Sequence, residues 1–257
     1  MTPVNNLYPD YLLLYPKKYA PKHTLTVNWE ISDTEQEFEK NCKKQPEDWY
    51  YRTHSVTYRY NTNKYRCPEW TDVNWSDTWV VFGCSCVEGV GLDESDTLSA
   101  RISEILGDPV VNLGVSGSGP DAILFNSIRL IDQGIRPKGV ILLNSDFSLP
   151  RLTLFTPDVA MPLGHWVFTW PEPDADRIYP NLYKLWVINS NNAEAHSYMS
   201  LRGAVGVWKA ESIPTFHFNI THDLPTRIDV ARDLVHPGRE TTKLWATEIT
   251  NQIRSKP

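Results

Sequence analysis

Short apolar runs alternate with segments of helical periodicity from about Thr78 to the end of the chain. Four runs have the length and composition of buried strands: TWVVFG, PVVNLG, KGVILLN and PTFHFNI. Four other segments repeat apolar residues every three or four positions: DTLSARISEILG, PDAILFNSIRLIDQG, NAEAHSYMSLRGAVGVWKAE and RETTKLWATEITNQIR. The third of these predicts a stripe of Tyr198, Leu201, Val205 and Trp208. The alternation predicts a three-layer α/β/α sandwich with a parallel, flavodoxin-like sheet.

The chain before this pattern differs in amino-acid composition. Residues 1–76 are rich in Tyr, Trp, Asn and Lys, and we expect them to form an extension packed on a main domain at 77–257. The stretch SVTYRYNTNKYRCPEW predicts a hairpin of two short strands around NTN. Inside the main domain, an aromatic-rich insertion occupies about 148–192.

Length and net charge limit the classes of protein to which this chain can belong. The 257 residues are enough for one large domain with a core, or for one domain with an extension. A net charge of −6 argues against nucleic-acid or anionic-membrane partners. No signal peptide or transmembrane run is evident, so we expect a soluble, cytoplasmic protein. The four cysteines lack metal-binding spacing and are expected to be free thiols; the oligomeric state is left open.

Polar and small residues follow each predicted strand. The four loops read GCSCVEG, GVSGSGPD, NSDFS and THDLPTRIDVARDLVHPG. Ligands of parallel sheets bind beyond the carboxyl ends of the strands, so chemistry is expected in these loops. Asp233 and His236, three positions apart, allow a carboxylate to hold one imidazole nitrogen while the other faces out. A serine such as Ser85 needs a base of this kind, because its hydroxyl is a weak nucleophile.

Taken in order, these loops resemble the four blocks of the SGNH hydrolases, also called the GDSL esterase/lipase family. The matching stretches are VVFGCSCVEGVG, NLGVSGSG, VILLNSD and DLVHPG, within roughly Trp79 to Ile253 apart from a divergent middle. The resemblance implies Ser85 as nucleophile, Asp233 and His236 as its partners, and an oxyanion hole formed by the backbone N–H groups of Ser85 and Gly114. YRYNTNKYRCPEW is weakly similar to a stretch found in carbohydrate-acting members.

Two positions depart from the family pattern. Cys84 replaces the Asp of the G-D-S block, which puts the shape of the loop in doubt more than the mechanism. The third block lacks its Gly, so its oxyanion Asn aligns with Ser145 and Asn144 stands beside it. We favour Asn144 as the side-chain donor, with Ser145 as the alternative.

The resemblance implies a serine ester hydrolase that acts through an acyl-enzyme on a short-chain carboxylic ester, such as an O-acetylated carbohydrate. This chemistry calls for no metal or organic cofactor. Two alternatives stay open: an acyltransferase that uses the same Ser85, His236 and Asp233, and a non-catalytic carbohydrate-binding module whose site has decayed.

Several residues have a second interpretation. Ser85 is also consistent with an ordinary turn serine, and Cys84 or Cys86 is an alternative nucleophile as a thiolate. His222 and Asp223 form a rival base pair, although such a dipeptide in a loop more often is solvated or caps the backbone.

The insertion offers aromatic faces for a sugar ring or an acyl chain, or simply for packing onto the sheet. Its aromatic residues include Trp166, Phe168, Trp170, Tyr179, Tyr183 and Trp186. Beside it, Asp146 is expected to cap the nearby loop, and His196 is expected to lie exposed within a helix.

Overall fold

The computed structural model describes residues 25–145, 151–155, 160–165, 178–187 and 190–255. Four parallel strands form its main sheet: β3 (Trp79–Gly83), β4 (Val110–Gly114), β5 (Gly139–Asn144) and β8 (Thr215–Asn219). Their spatial order is β4-β3-β5-β8. When the four strands are numbered along the chain, this order is 2-1-3-4, the arrangement of a flavodoxin-like sheet. The prediction of four parallel strands is confirmed.

Helices cover both faces of the sheet. They are α3 (Leu98–Leu106), α4 (Pro120–Asp132), α6 (Ser190–Ala210) and α7 (Arg239–Ser255). Val81 and Ile141 point to the face covered by α3 and α7, whereas Val80 and Leu142 point to the face covered by α4 and α6. All four side chains are fully buried. Both faces of the strands are therefore apolar, which explains their continuous hydrophobic runs and confirms the three-layer sandwich.

The predicted apolar stripes are largely correct. Trp245, Ile249 and Ile253 of α7 are buried. In α6, Leu201 and Trp208 are buried, but Tyr198 is 60% exposed, so its place in the stripe was wrong. Ser197, four residues before Leu201, takes the buried position instead, because its spacing continues the same helix face.

The N-terminal part contains a small second sheet. Strand β1 (Leu25–Val27) pairs antiparallel with β2 (Tyr58–Tyr60), and α1 (Glu35–Lys44) lies between them in sequence, capped by Thr34. The predicted hairpin around NTN is therefore wrong, since the partner of β2 lies more than thirty residues earlier. The Asn61 side chain accepts from Tyr65 N–H and donates to the Pro68 carbonyl, which closes a turn where a second strand was expected.

Parts of the insertion are described as well. Strand β6 (Leu152–Phe155) pairs antiparallel with β7 (Ala160–Leu163), and helix α5 (Ile178–Val187) follows them. Tyr183 of α5 is buried against Leu163, so this aromatic residue packs the insertion. Across the residues described, no helix is both long and apolar enough to span a bilayer.

Candidate active site

Ser85 begins the single helical turn α2 (Ser85–Glu88), directly after strand β3. The turn folds back onto the sheet, and this requires glycine at two positions. A Cβ at Gly83 would overlap the Val87 side chain, and a Cβ at Gly114 would overlap the Glu88 backbone nitrogen. The strand–turn–helix geometry therefore places Ser85 at the carboxyl edge of the sheet, where it is 8% exposed.

Buried polar contacts hold this turn in place. Asn112 donates from Nδ2 to the Val87 carbonyl at 2.8 Å. The buried Glu88 carboxylate accepts from Tyr60 Oη at 2.8 Å and from Ser116 N–H at 2.8 Å. The buried Arg66 guanidinium donates to the carbonyl of Gly89 at 2.7 Å and to other carbonyls nearby. Side chains from both the N-terminal part and the main sheet thus position the loop around Ser85.

Asp233 and His236 form a close pair in the loop after β8. His236 Nδ1 lies 2.6 Å from Asp233 Oδ2, and Asp233 Oδ1 accepts the backbone N–H groups of Val235 and His236 at 3.0 Å. The Asp233 side chain is fully buried, whereas that of His236 is 13% exposed. The carboxylate therefore fixes the imidazole through Nδ1, which leaves Nε2 for a substrate or a nucleophile.

The Asp233 carboxyl is held in its charged form. Burial raises its pKa, but hydrogen bonds and charge attraction from His236, together with a bond from Ser32, outweigh that effect and hold the pKa below its usual value. A carboxylate in this state is suited to stabilise a positive imidazole.

The loops that carry Ser85 and His236 lie against each other. Gly91, in the loop that follows α2, accepts from Arg232 N–H at 3.1 Å, and a Cβ at Gly91 would come within 2.7 Å of Ala231 Cβ. Ser85 Oγ makes no hydrogen bond with any described residue, so its bond to His236 is not formed in this conformation. Catalytic hydrogen bonds often tighten only when substrate binds.

The predicted oxyanion donors differ in availability. Gly114 N–H donates to Asn112 Oδ1 at 2.9 Å, so it is not free to bind an oxyanion, contrary to the expectation from the sequence. Asn144 ends β5, is 1% exposed, and its Nδ2 has no hydrogen-bond partner among the described residues. Ser145, the alternative donor, is half-buried beside it.

A further backbone donor lies in the same loop as Gly114. Gly117 has a φ of +77°, and its N–H makes no hydrogen bond within the described chain. Its two neighbours contact the chain on either side of α2. Ser116 donates to Glu88 at the end of α2, and Ser118 donates to the Gly83 carbonyl, just before α2, at 3.0 Å. The sequence analysis missed this residue, although the second glycine of GVSGSG is the signal that would have identified it.

Cys84 and the His222–Asp223 pair are placed less favourably than Ser85 and the Asp233–His236 pair. Cys84 is 2% exposed, and a hydrogen bond from the Cys86 thiol, helped by the nearby Arg151 guanidinium, lowers its pKa despite burial. Its burial keeps it from substrate in this conformation. Asp223 accepts from Asn219 N–H at 2.7 Å and makes no bond to His222, as expected of a residue that caps the backbone. Asp146 lies outside the described residues.

A cavity of about 260 Å³ lies between the insertion and helices α4 and α6. Asp121, Arg151, Trp186 and His196 contribute to its lining. The Trp186 and His196 rings are 4.5 Å apart, and Trp186 Nε1 is buried with no partner among the described residues. Arg151 donates to the carbonyl of Ser118, which connects this cavity to the loop beside Ser85. His196 is exposed within α6, as predicted.

The remaining insertion aromatics cannot be placed on this cavity. Trp166, Phe168 and Trp170 lie outside the described residues, as does the side chain of Tyr179.

No protein-family model and no curated protein matches the sequence. The chain is similar in structure to the acetyl xylan esterase Est2A from the rumen bacterium Butyrivibrio proteoclasticus, at 12% identity and a TM-score of 0.38 over 72% of this chain and 64% of that one. It is also similar to the psychrotrophic esterase EstA from Pseudoalteromonas sp., at 13% identity and a TM-score of 0.36 over 70% and 97% of the two chains.

A third similar structure is a protein assigned to the G-D-S-L lipolytic family from Desulfitobacterium hafniense DCB-2. It has 11% identity and a TM-score of 0.35, over 68% of this chain and 98% of that one. The function therefore has to be inferred from the geometry of the site.

Proposed function

We propose that the protein is a serine ester hydrolase that acts through an acyl-enzyme. The observation that carries the proposal is the 2.6 Å contact between His236 Nδ1 and the buried Asp233 carboxylate, in a loop packed against the one that follows Ser85. An imidazole oriented in this way is a general base, and a serine at a strand–turn–helix junction is a nucleophile that needs one.

The proposed reaction has two steps. Ser85 Oγ attacks the ester carbonyl carbon while His236 Nε2 takes the hydroxyl proton; the bond to the alcohol oxygen then breaks, and the imidazolium returns that proton to the leaving alcohol. Water next attacks the acyl-enzyme, gives a proton to His236, and releases the carboxylic acid as Ser85 recovers its proton. Asp233 stays ionised throughout and stabilises the imidazolium.

Three donors are proposed to bind the tetrahedral oxyanion. Asn144 supplies a side-chain amide, and the backbone N–H groups of Ser85 and Gly117 supply the other two. The buried Nδ2 of Asn144, which has no partner among the described residues, supports its role, because a buried amide without a partner is costly unless a ligand completes it. Gly117 takes the place that the sequence analysis gave to Gly114.

Replacing Asn144 with alanine should lower kcat for p-nitrophenyl acetate by about 10²–10³-fold with little change in KM, because the donor acts chiefly in the transition state. Steady-state kinetics measure the split. Asn251→Ala, on the exposed side of α7, is the matched control and should have no effect. A loss below about threefold would exclude the Asn144 amide as the donor, and Ser145→Ala would then be the variant to measure.

For the substrate, we propose a short acyl group on a polar, ring-shaped alcohol such as an O-acetylated carbohydrate. The supporting observation is the cavity between the insertion and α6, which combines charged side chains with the half-buried Trp186 ring. Its lining residue Arg151 donates to the Ser118 carbonyl and contacts Cys84, the residue before Ser85. An indole face packs on the apolar face of a sugar, and Trp186 Nε1, without a partner in the part of the chain that the structure describes, can donate to a hydroxyl. Product analysis with and without an added sugar acceptor distinguishes hydrolysis from acyl transfer.

Replacing Trp186 with alanine should raise KM for an acetylated oligosaccharide by about tenfold, since one ring contact and one hydrogen bond are lost. The rate with p-nitrophenyl acetate, which is too small to need the cavity, should stay within twofold. Leu185→Ala is the matched control, because Leu185 is the neighbouring residue on α5 and is 69% exposed. Equal losses on both substrates would place the effect in the fold and contradict the proposed sugar contact.

A further inference from the structure

A tight turn at residues 30–33 lies next to the catalytic loop. Glu30 and Asp33 exchange two backbone hydrogen bonds of 2.9 Å, and Ile31 adopts a left-handed φ of +55°. This closed geometry fixes Ser32 and directs its side chain at a residue 201 positions away. Ser32 Oγ donates to Asp233 Oδ2 at 2.6 Å.

The neighbouring residues form a second link. Asp33 binds Arg232 through contacts of 2.7–3.1 Å, and both side chains are at most 3% exposed. Two consecutive residues of the turn therefore bind two consecutive residues of the catalytic loop. The ion pair between Asp33 and Arg232 fixes the position of the loop, and the bond from Ser32 acts on the carboxylate itself.

Among the described residues, four groups donate hydrogen bonds to the Asp233 carboxylate. Two are the backbone N–H groups of Val235 and His236 on Oδ1, and the other two are Ser32 and the His236 ring, both on Oδ2. Ser32 and the imidazole share one oxygen, so the hydroxyl helps to fix the carboxylate that orients the base. Without the hydroxyl, that buried oxygen would keep the imidazole as its only donor among the described residues.

We propose that Ser32 is a positioning residue for catalysis, and that the N-terminal segment thereby completes the active site as a fourth member acting through Asp233 and His236. This inference rests on the proposed function. Ser32 acts on the carboxylate and touches neither the substrate nor the reacting atoms.

The test compares Ser32→Ala with Ser32→Thr, which keeps the hydroxyl. We expect kcat for p-nitrophenyl acetate to fall about tenfold in the alanine variant with KM within twofold, and to recover in the threonine variant. Thr34→Ala is the matched control, because it removes the cap of α1 two residues away without touching Asp233. Its kcat should stay within twofold, and thermal unfolding is followed for all variants.

A second readout needs no substrate. The proton between His236 Nδ1 and Asp233 is expected as a downfield resonance in the ¹H NMR spectrum; it should shift or broaden in Ser32→Ala and return in Ser32→Thr. An unchanged resonance, or an equal loss of kcat in Thr34→Ala, would overturn the positioning role. A wild type that hydrolyses no ester yet shows this resonance change would refute the proposed function while leaving the role of Ser32 intact.

Discussion

Replacing Ser85 with alanine is expected to lower kcat/KM for p-nitrophenyl acetate by at least about 10³-fold, because the proposed acyl-enzyme can no longer form. The protein should remain folded, since the change removes one oxygen atom from a side chain that makes no hydrogen bond with the described residues. The initial rate of p-nitrophenol release, compared with that of the wild type, measures the effect.

Two further variants make this result specific. Ser95→Ala, at an exposed position, controls for serine replacement in general and should leave the rate unchanged. Cys86→Ala tests the alternative nucleophile. If turnover persists in Ser85→Ala and vanishes in Cys86→Ala, the thiol is the nucleophile and the proposed serine mechanism is wrong.

Replacing Arg232 with methionine should lower the free energy of unfolding by about 3–5 kcal/mol, because it leaves the buried Asp33 carboxylate without its cation. The loss should be large because Arg232 also packs 4.0 Å from the centre of the Trp29 ring and binds the Asn28 carbonyl. Urea denaturation of wild type and variant gives the difference.

The matched control for this change is Arg59→Met. Arg59 pairs with Glu94 at 2.9 Å, but the two side chains are 66% and 48% exposed, so the loss should stay below about 1 kcal/mol. Adding Asp33→Asn to the Arg232 variant should restore part of the stability, since it removes the buried negative charge that has lost its Arg232 partner. Equal losses in the two arginine variants would show that the Asp33–Arg232 pair contributes no more than a surface contact.

The parts of the fold that were predicted correctly share a local signal. Each strand of the main sheet is a short apolar run, and each long helix repeats its apolar residues at helical spacing, as Trp245, Ile249 and Ile253 do. Capping is equally local: Thr97 accepts from Ala100 N–H, and Gly107 ends α3 at a φ of +78°. Strands, helices and caps of this kind can be predicted from the sequence because the residues that determine them lie within a few positions of one another.

The errors arose where a distant partner decides the structure. Tyr58–Tyr60 pairs with residues 25–27 in place of the nearby hairpin strand. Nothing near Ser32 in the sequence indicates a bond to Asp233. Contacts of this kind depend on the whole topology, which no short motif encodes.

The links between the turn at 30–33 and the loop at 232–233 also bear on how the protein is made. Their partners are separated by 199 and 201 positions. At about 5–20 residues per second, a ribosome would add the second set about 10–40 s after the first. During that interval Asp33 has no Arg232 to bind. The contacts of the turn at 30–33 with Arg232 and Asp233 can therefore form only after residues 232 and 233 have been synthesised.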